Sequence, residues 1–179
     1  MFALHADDEV SLELAEEHDA PAIFALTDRN RDHLRPWMPW VDPTVGVPDT
    51  LSFLKFIRGE YAAGRGFHCN LRYRGEIVGG IGMRIDRAND AGEVGYWIDE
   101  SFTRRGIVTR ATRALVTAAF RDLGLRRVTI RAGVENARSR AIPERLGFSL
   151  EGVLRSNEKV GDRYVDHATY AVLAEEWRP

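Results

Sequence analysis

Residues 103–106, TRRG, place two arginines and a glycine directly before IVTRATRALVTAAF, a pattern typical of an amphipathic helix. The first N–H groups of a helix lack intrahelical partners and carry partial positive charge, so they attract anions. Gly106 permits close backbone approach, and Arg104 and Arg105 add charge outside the helix. A phosphate site and a solvated basic turn both fit this stretch. The G-K-[ST] ending of a nucleotide P-loop is missing, so kinase or NTPase chemistry is not supported.

The rest of the chain has to supply a scaffold for this turn. Alternating apolar residues predict strands at 10–14, 67–73, 77–85, 93–99, 126–133, 149–155 and 164–174. Apolar periodicity and capping residues predict helices at 16–30, 48–64, 107–121 and 136–147. The order of these elements predicts an α+β or α/β fold in which helices cover both faces of one sheet.

Two connecting segments carry further expectations. Three prolines in HLRPWMPWVDP, residues 33–43, exclude a regular helix there. SNEKVGDR, residues 156–163, is typical of a polar hairpin turn.

Composition limits the classes of function. The 179 residues, 44% of them hydrophobic, predict a single domain spanning 1–179 with a substantial core. The formal net charge of −2 gives no support for binding to nucleic acid or to a membrane surface. We see neither a signal peptide nor an apolar run of about 18 residues, and we expect a soluble cytoplasmic protein.

Several reactive side chains have ordinary structural interpretations. Cys69 lies in a predicted strand without a base partner, which argues against an acyl-enzyme. Asn136 and Ser139, in ENARS, are good residues for the start of a helix. Asp166 and His167 lie in a predicted strand, where a functional role and a satisfied core pair are both open, and we expect the core pair. The histidines and the cysteine share no spacing typical of a metal site, and we predict no metal: His5, His18, His33, His68, His167 and Cys69.

The segment from GYWIDESFTRRGIV through NARSRAIPERLGFSLEGVLR strongly resembles the acyl-CoA-binding core of the GNAT superfamily of N-acetyltransferases. Within it, the chain is most similar to the Rim-type enzymes, which acetylate alanine or serine N-termini of ribosomal proteins. The resemblance extends through NEKVGDRYVDHATY and back to LRPWMPWVD, covering about residues 8–177. It implies a GNAT fold, with a mixed, mostly antiparallel, twisted sheet of about 6–7 strands, and acetyl-CoA as cofactor.

The resemblance also implies where the cofactor binds. The pyrophosphate is expected on the backbone at these residues: Arg104, Arg105, Gly106, Ile107, Val108 and Thr109. The family's phosphate signature has Gln or Arg where this chain has Thr103, and Gly or Ala where it has Val108, so side-chain contacts there differ. The pantetheine arm is expected along the main chain of Trp97, Ile98 and Asp99, in a gap where two strands splay apart. Asn136 matches a residue that binds the cofactor.

The resemblance implies direct transfer of the acetyl group to an amine. Glu158 matches the general base, and Glu93 is the competing base. Ser139 matches a residue near the thioester sulfur, and we expect it to protonate the leaving thiolate. A tyrosine does so in many relatives, so Tyr170 and Tyr164 are the alternatives. Trp37 and Trp40 lie in the region that lines the acceptor groove, where they act either in packing or in substrate binding: the sequence leaves both open.

The expected acceptor is the N-terminal α-amine of a protein, first of all a ribosomal protein. A small amine is the alternative acceptor, and a non-catalytic acyl-CoA-binding module is the alternative class of function. The resemblance also allows a homodimer.

Overall fold

An eight-stranded sheet forms the centre of the computed structural model, which describes residues 3–179. The strands are β1 (Ala3–His5), β2 (Val10–Leu14), β3 (Gly66–Tyr73), β4 (Glu76–Asp86), β5 (Ala91–Ile98), β6 (Arg127–Gly133), β7 (Ser149–Val160) and β8 (Arg163–Leu173). Their order across the sheet is β1-β2-β3-β4-β5-β6-β8-β7, and within the described residues only β5 and β6 pair in parallel. The prediction of a mixed, mostly antiparallel sheet is confirmed.

Within residues 3–179, five α-helices lie on the two faces of this sheet. They are α1 (Ala20–Arg29), α2 (Arg31–Leu34), α3 (Val47–Ala62), α4 (Ile107–Arg121) and α5 (Ala137–Arg145). Short 3-10 helices at Glu17–Asp19 and Glu100–Phe102 precede α1 and α4. Apolar residues of α4 and α5 form one core with one face of the sheet, and α1, α2 and α3 form a second core on the opposite face. Val94 packs into the first core and Trp97 into the second, as the alternation of side chains along a strand requires.

The parallel pair opens towards one end. Residues Ala91–Val94 of β5 pair with Arg127–Ile130 of β6, and the pairing then stops. Residues 95–98 of β5 stay paired with β4, while residues 131–133 of β6 pair with β8. One edge of β5 is therefore free of a neighbouring strand from residue 95 to residue 98, which is the splayed arrangement that the resemblance implies.

Three sequence predictions need correction. The sheet has eight strands rather than 6–7, because β1 is a three-residue strand too short to show alternation. The segment expected to lack helix begins within α2, a single turn that ends before Pro36. SNEKV is not a turn but the last part of β7, and only residues 161–162 connect it to β8. Its polar composition reflects an edge strand exposed to solvent, which a sequence pattern does not distinguish from a turn.

No helix within residues 3–179 has both the length and the apolar character needed to cross a membrane.

Candidate active site

A cavity of about 480 Å³ lies where β5 and β6 separate. Its wall consists of the end of β5, the start of α5 and residues 103–109. We call residues 103–109, which are TRRG and the first three residues of α4, the TRRG turn. The α2 region closes one side. The sequence-predicted site residues that line it are Trp37, Trp97, Ile98, Arg104, Arg105, Gly106, Ile107, Val108, Thr109, Asn136 and Ser139. Asp99, Trp40, Glu158 and Glu93 do not line it.

The TRRG turn presents main-chain donors to this cavity. Gly106 precedes α4 with φ of 70°, in the left-handed region that glycine adopts without strain, and Arg104 lies there too, with φ of 63°. The first helical bond runs from the Arg110 N–H to the Gly106 carbonyl. Within residues 3–179, the N–H groups of residues 107–109 have no acceptor. These free donors lie at the positive end of a four-turn helix, an arrangement that attracts anions.

Two contacts hold the Arg105 side chain beside the turn. The Arg105 guanidinium lies 5.0 Å from the centre of the Phe102 ring and donates to the Ser101 carbonyl at 3.2 Å. These contacts hold its charge beside the turn. Phe102 and Thr103 also line the cavity, so the short helix before the turn contributes to the same wall.

Asn136 and Ser139 combine capping with a position in the cavity wall. The Asn136 side chain accepts from the Ser139 N–H at 3.1 Å, which caps α5. The Tyr96 hydroxyl donates to the Ser139 carbonyl at 3.0 Å, and the Ser139 hydroxyl lies 3.4 Å from it. Burial raises the pKa of Tyr96 above its usual value, so this phenol stays protonated. Ser139 is therefore held against β5 across the gap between the strands.

The two alternative tyrosines have other surroundings. Tyr170 is buried, donates to Glu144 at 2.6 Å and accepts from Arg140 at 2.9 Å. Tyr164 is 64% exposed on β8, and neither tyrosine lines the cavity.

Glu93 and Glu158 lie on the same face of the sheet but differ in their partners. The Glu93 carboxylate binds two guanidinium groups, that of Arg131 at 2.6 Å and that of Arg84 at 3.2 Å. Glu158 has no arginine or lysine partner among residues 3–179, and its side chain is 41% exposed. A proton acceptor has to be free to meet its substrate, which favours Glu158 as the base.

Glu158 lies beside the cavity rather than in its wall. It pairs with Val165 across β7 and β8, and directly opposed residues of an antiparallel pair share a face. A Cβ atom on Gly133 would lie 3.1 Å from the Trp37 ring and 3.3 Å from Val165. Trp37 is thus packed between the cavity and the part of the sheet that carries Glu158.

The expected Asp166–His167 core pair is wrong, because neighbouring residues of a strand point to opposite faces. Asp166 is exposed and accepts from the Ser156 N–H at 2.7 Å. His167 is buried on the face of Glu158, with its Nε2 3.6 Å from the Glu158 Oε2.

Two other predicted residues have structural surroundings. Trp40 packs edge-on against Trp97, with ring centres 5.8 Å apart, behind the cavity wall. The buried Asp99 carboxylate accepts hydrogen bonds from the Arg29 guanidinium at 2.6 Å and from the Ser101 N–H. The main-chain N–H of Asp99 donates to the Val78 carbonyl.

Some neighbours of the site could not be inferred from the sequence. No sequence pattern indicates the contact of the Tyr96 hydroxyl with Ser139, because it depends on how α5 docks onto β5. Asn157 contacts His167 at 2.8 Å because of an irregularity in β7 that leaves no clear pattern. Across the described chain, no group of three His, Cys, Asp or Glu side chains is arranged to hold a metal ion.

Comparisons with known proteins agree with this geometry. Residues 9–149 match the family described as acetyltransferase (GNAT) domain. The protein YdaF of Bacillus subtilis (strain 168) is 35% identical over 179 residues, covering 99% of this chain and 98% of its own. The ribosomal-protein-serine acetyltransferase of Escherichia coli (strain K12) is 33% identical, covering 90% of this chain and 92% of its own.

A solved structure has the same fold. It is titled as RimL, a ribosomal L7/L12 alpha-N-protein acetyltransferase in complex with coenzyme A, and it superposes with a TM-score of 0.93. The two chains are 26% identical, over 96% of this chain and 98% of that one. The predictions of a GNAT fold and of N-acetyltransferase activity are confirmed. The chain belongs to the acetyltransferase (GNAT) domain family.

Proposed function

We propose that this acetyltransferase transfers the acetyl group of acetyl-CoA directly to the N-terminal α-amine of a protein, with a ribosomal protein as the first choice. The observation that carries the proposal is one cavity that joins the TRRG turn, the free edge of β5 and Ser139. The names of the E. coli relative and of the coenzyme A complex support the same acceptor class and cofactor.

The residues present fit coenzyme A. The free N–H groups of residues 107–109 suit its pyrophosphate, and the unpaired edge of β5 at residues 95–98 suits an extended arm that pairs like a strand. Val108 is buried in the core at the edge of the cavity, and its main-chain N–H is one of these donors, so its departure from the family pattern changes a side chain and keeps the donor. The bound cofactor supplies an acetyl thioester.

Glu158 takes the amine proton in this mechanism. An N-terminal amine has a reference pKa of about 7.7–8.0, so at neutral pH a carboxylate assists mainly by removing the proton released as the amine attacks. The free carboxylate of Glu158 favours it over Glu93, whose two guanidinium partners would first have to separate.

Ser139 serves the leaving sulfur. Its hydroxyl lies in the cavity wall beside the Tyr96 hydroxyl, whereas Tyr170 is bonded to Glu144 and Arg140 outside the cavity. The Ser139 O–H donates its proton to the departing thiolate and regains one from water. Holding the amine and the thioester together in this gap supplies much of the rate increase.

Direct transfer agrees with the state of the lone cysteine. Cys69 is buried in β3, away from the cavity wall, and burial raises the pKa of its thiol to about 12. A thiol in that state is a poor nucleophile.

Strands β7 and β8 extend the sheet beyond residue 149, which supports one domain over the whole chain.

Release of free thiol from acetyl-CoA tests the function. We expect turnover with peptides that begin with serine or alanine, and much slower turnover with amino sugars and polyamines. Preference for a small amine would favour the alternative acceptor. Tight binding of acetyl-CoA without turnover on any acceptor would favour a non-catalytic module.

Cytoplasmic location and homodimer formation stay predictions. Cell fractionation tests the location, and sedimentation tests the oligomeric state.

A further inference from the structure

Asn157, Glu158 and His167 form a group of side chains that we call the Glu158 cluster. The Asn157 Nδ2 lies 2.8 Å from the His167 Nδ1, and the His167 Nε2 lies 3.6 Å from the Glu158 Oε2. Consecutive residues of a regular strand point to opposite faces, so Asn157 and Glu158 would not normally meet one ring.

A bulge in β7 brings them together. The register of β7 against β8 shifts between Leu154 and Glu158, and Ser156 has φ of 49°. The Asp166 carboxylate fixes the bulge by accepting from the Ser156 N–H at 2.7 Å. Bulges commonly re-aim a side chain next to an active site. Here the bulge turns Asn157 towards the ring that Glu158 also faces.

The contacts favour one position of the ring proton. The Asn157 Nδ2 can only donate, so the 2.8 Å contact is a hydrogen bond when the His167 Nδ1 offers its lone pair and the single proton of the neutral ring is on Nε2. That proton faces the Glu158 carboxylate.

The charges around His167 come from four strands. Burial lowers its pKa, and Arg131 on β6 acts in the same direction. The carboxylates of Glu158 on β7, Glu93 on β5 and Asp166 on β8 oppose this effect, and the net shift is downward. The ring is therefore neutral at pH 7.

We infer that His167 is a positioning residue, which Asn157 fixes as the Nε2–H tautomer and which holds Glu158 Oε2 so that Oε1 faces the acceptor amine. This inference rests on the proposed role of Glu158. The proton released by the attacking amine passes to Oε1 of Glu158 and then to water, and His167 neither gains nor loses one. Closing the present 3.6 Å separation by a few tenths of an ångström would complete the hydrogen bond.

Three variants test the inference by steady-state kinetics. His167→Leu removes the donor, and we expect kcat to fall about 10- to 100-fold, as for a lost hydrogen bond to a charged group, with the KM for acetyl-CoA unchanged. His167→Gln keeps an N–H near the Nε2 position and should restore kcat to within about 3-fold.

A third variant and a control guard against effects on folding. Asn157→Leu changes an exposed strand residue, leaves the ring in place, and should lower kcat in the same direction because the tautomer is no longer fixed. His18→Leu is the matched control, since His18 is 72% exposed and far from the site in sequence and fold. Its kcat should equal that of the parent.

A direct measurement of the tautomer does not depend on activity. Nitrogen-15 NMR of the ring should show a proton on Nε2 and none on Nδ1 between pH 6.5 and 8. A proton on Nδ1, or a parental kcat in His167→Leu, would overturn the inference while leaving the acetyltransferase proposal intact. Parental turnover in Glu158→Gln would remove both the proposed base and the inference that depends on it.

Discussion

The two sides of the proposed active site are built from different parts of the polypeptide. The proposed cofactor side consists of the TRRG turn and the free edge of β5, which offer main-chain groups. The proposed acceptor side consists of the Glu158 cluster and Trp37, which offer side chains. A substitution that keeps the backbone conformation also keeps the main-chain donors. We therefore expect activity to tolerate substitutions on the cofactor side better than substitutions on the acceptor side.

The largest expected effect lies on the acceptor side. Glu158→Gln removes the proton acceptor, and we expect kcat to fall about 10²- to 10⁴-fold, the usual range for a general base. The Kd for acetyl-CoA, measured by calorimetry, should stay within about 2-fold because the glutamate does not line the cavity. Glu151→Gln, also on β7, is the control and should keep the parental rate. Near-normal turnover in Glu158→Gln would assign the base to Glu93 or to bulk water.

A histidine on β3, outside the acceptor side, should make the protein sensitive to acid. His68 packs over Gly80 and Gly82, and burial lowers its pKa to about 4, below the unfolded value of about 6.5. Between these values the unfolded chain binds the proton more readily. The free energy of unfolding is therefore greatest above about pH 6.5 and falls by up to ~3 kcal/mol on acidification to pH 4.

Urea denaturation of His68→Leu checks this expectation. The variant should lose that part of the pH dependence, while His18→Leu keeps it. Equal slopes in the parent and in His68→Leu would show that the buried ring is not the cause.

Two glycines separate backbone strain from cofactor contact. Gly106 and Gly124 have φ of 70° and 67°, and a Cβ on either would meet no atom within 4 Å. Substitution of each by alanine should lower the free energy of unfolding by about 1 kcal/mol, because both positions are left-handed. Only Gly106→Ala should weaken acetyl-CoA binding, by about 10-fold, since Gly106 lines the cavity and Gly124 does not. Equal affinity in the two variants would contradict close approach of the cofactor to Gly106.

The smallest expected effect concerns a side chain on the cofactor side. Arg105→Gln removes one positive charge but leaves every main-chain donor in place. We expect the Kd for acetyl-CoA to rise about 3-fold at low salt, and the difference to shrink above 0.5 M salt because exposed charges are screened. A loss larger than that of Gly106→Ala would reverse the order of importance between backbone and side chain at this turn.

The contrast between the two sides also explains what the sequence could predict. Some signals are local in the sequence: Gly106, the amphipathic helix after it, and the alternation of apolar residues in strands. These signals predict the turn, the sheet and most of the helix positions. The resemblance added the splayed strands and the cofactor, neither of which local patterns contain.

Long-range packing decided the rest. The path of β7 through SNEKV, the bulge at Ser156 and the meeting of Asn157, Glu158 and His167 depend on pairing with β8. The polar residues of an exposed edge strand resemble those of a turn. For that reason the sequence predicts a turn from residue 156, whereas the strand continues to Val160. The contact of Tyr96 with Ser139 likewise depends on the docking of α5.

The central claim is that main-chain amides of the TRRG turn bind the pyrophosphate of acetyl-CoA. Proton–nitrogen NMR of the labelled protein, titrated with acetyl-CoA, measures these amides directly. We expect the largest downfield proton shifts at residues 106–109, with smaller changes at 95–98 and little change at residues 157 and 158. Saturation of the protein with no shift at residues 106–109 would contradict the account.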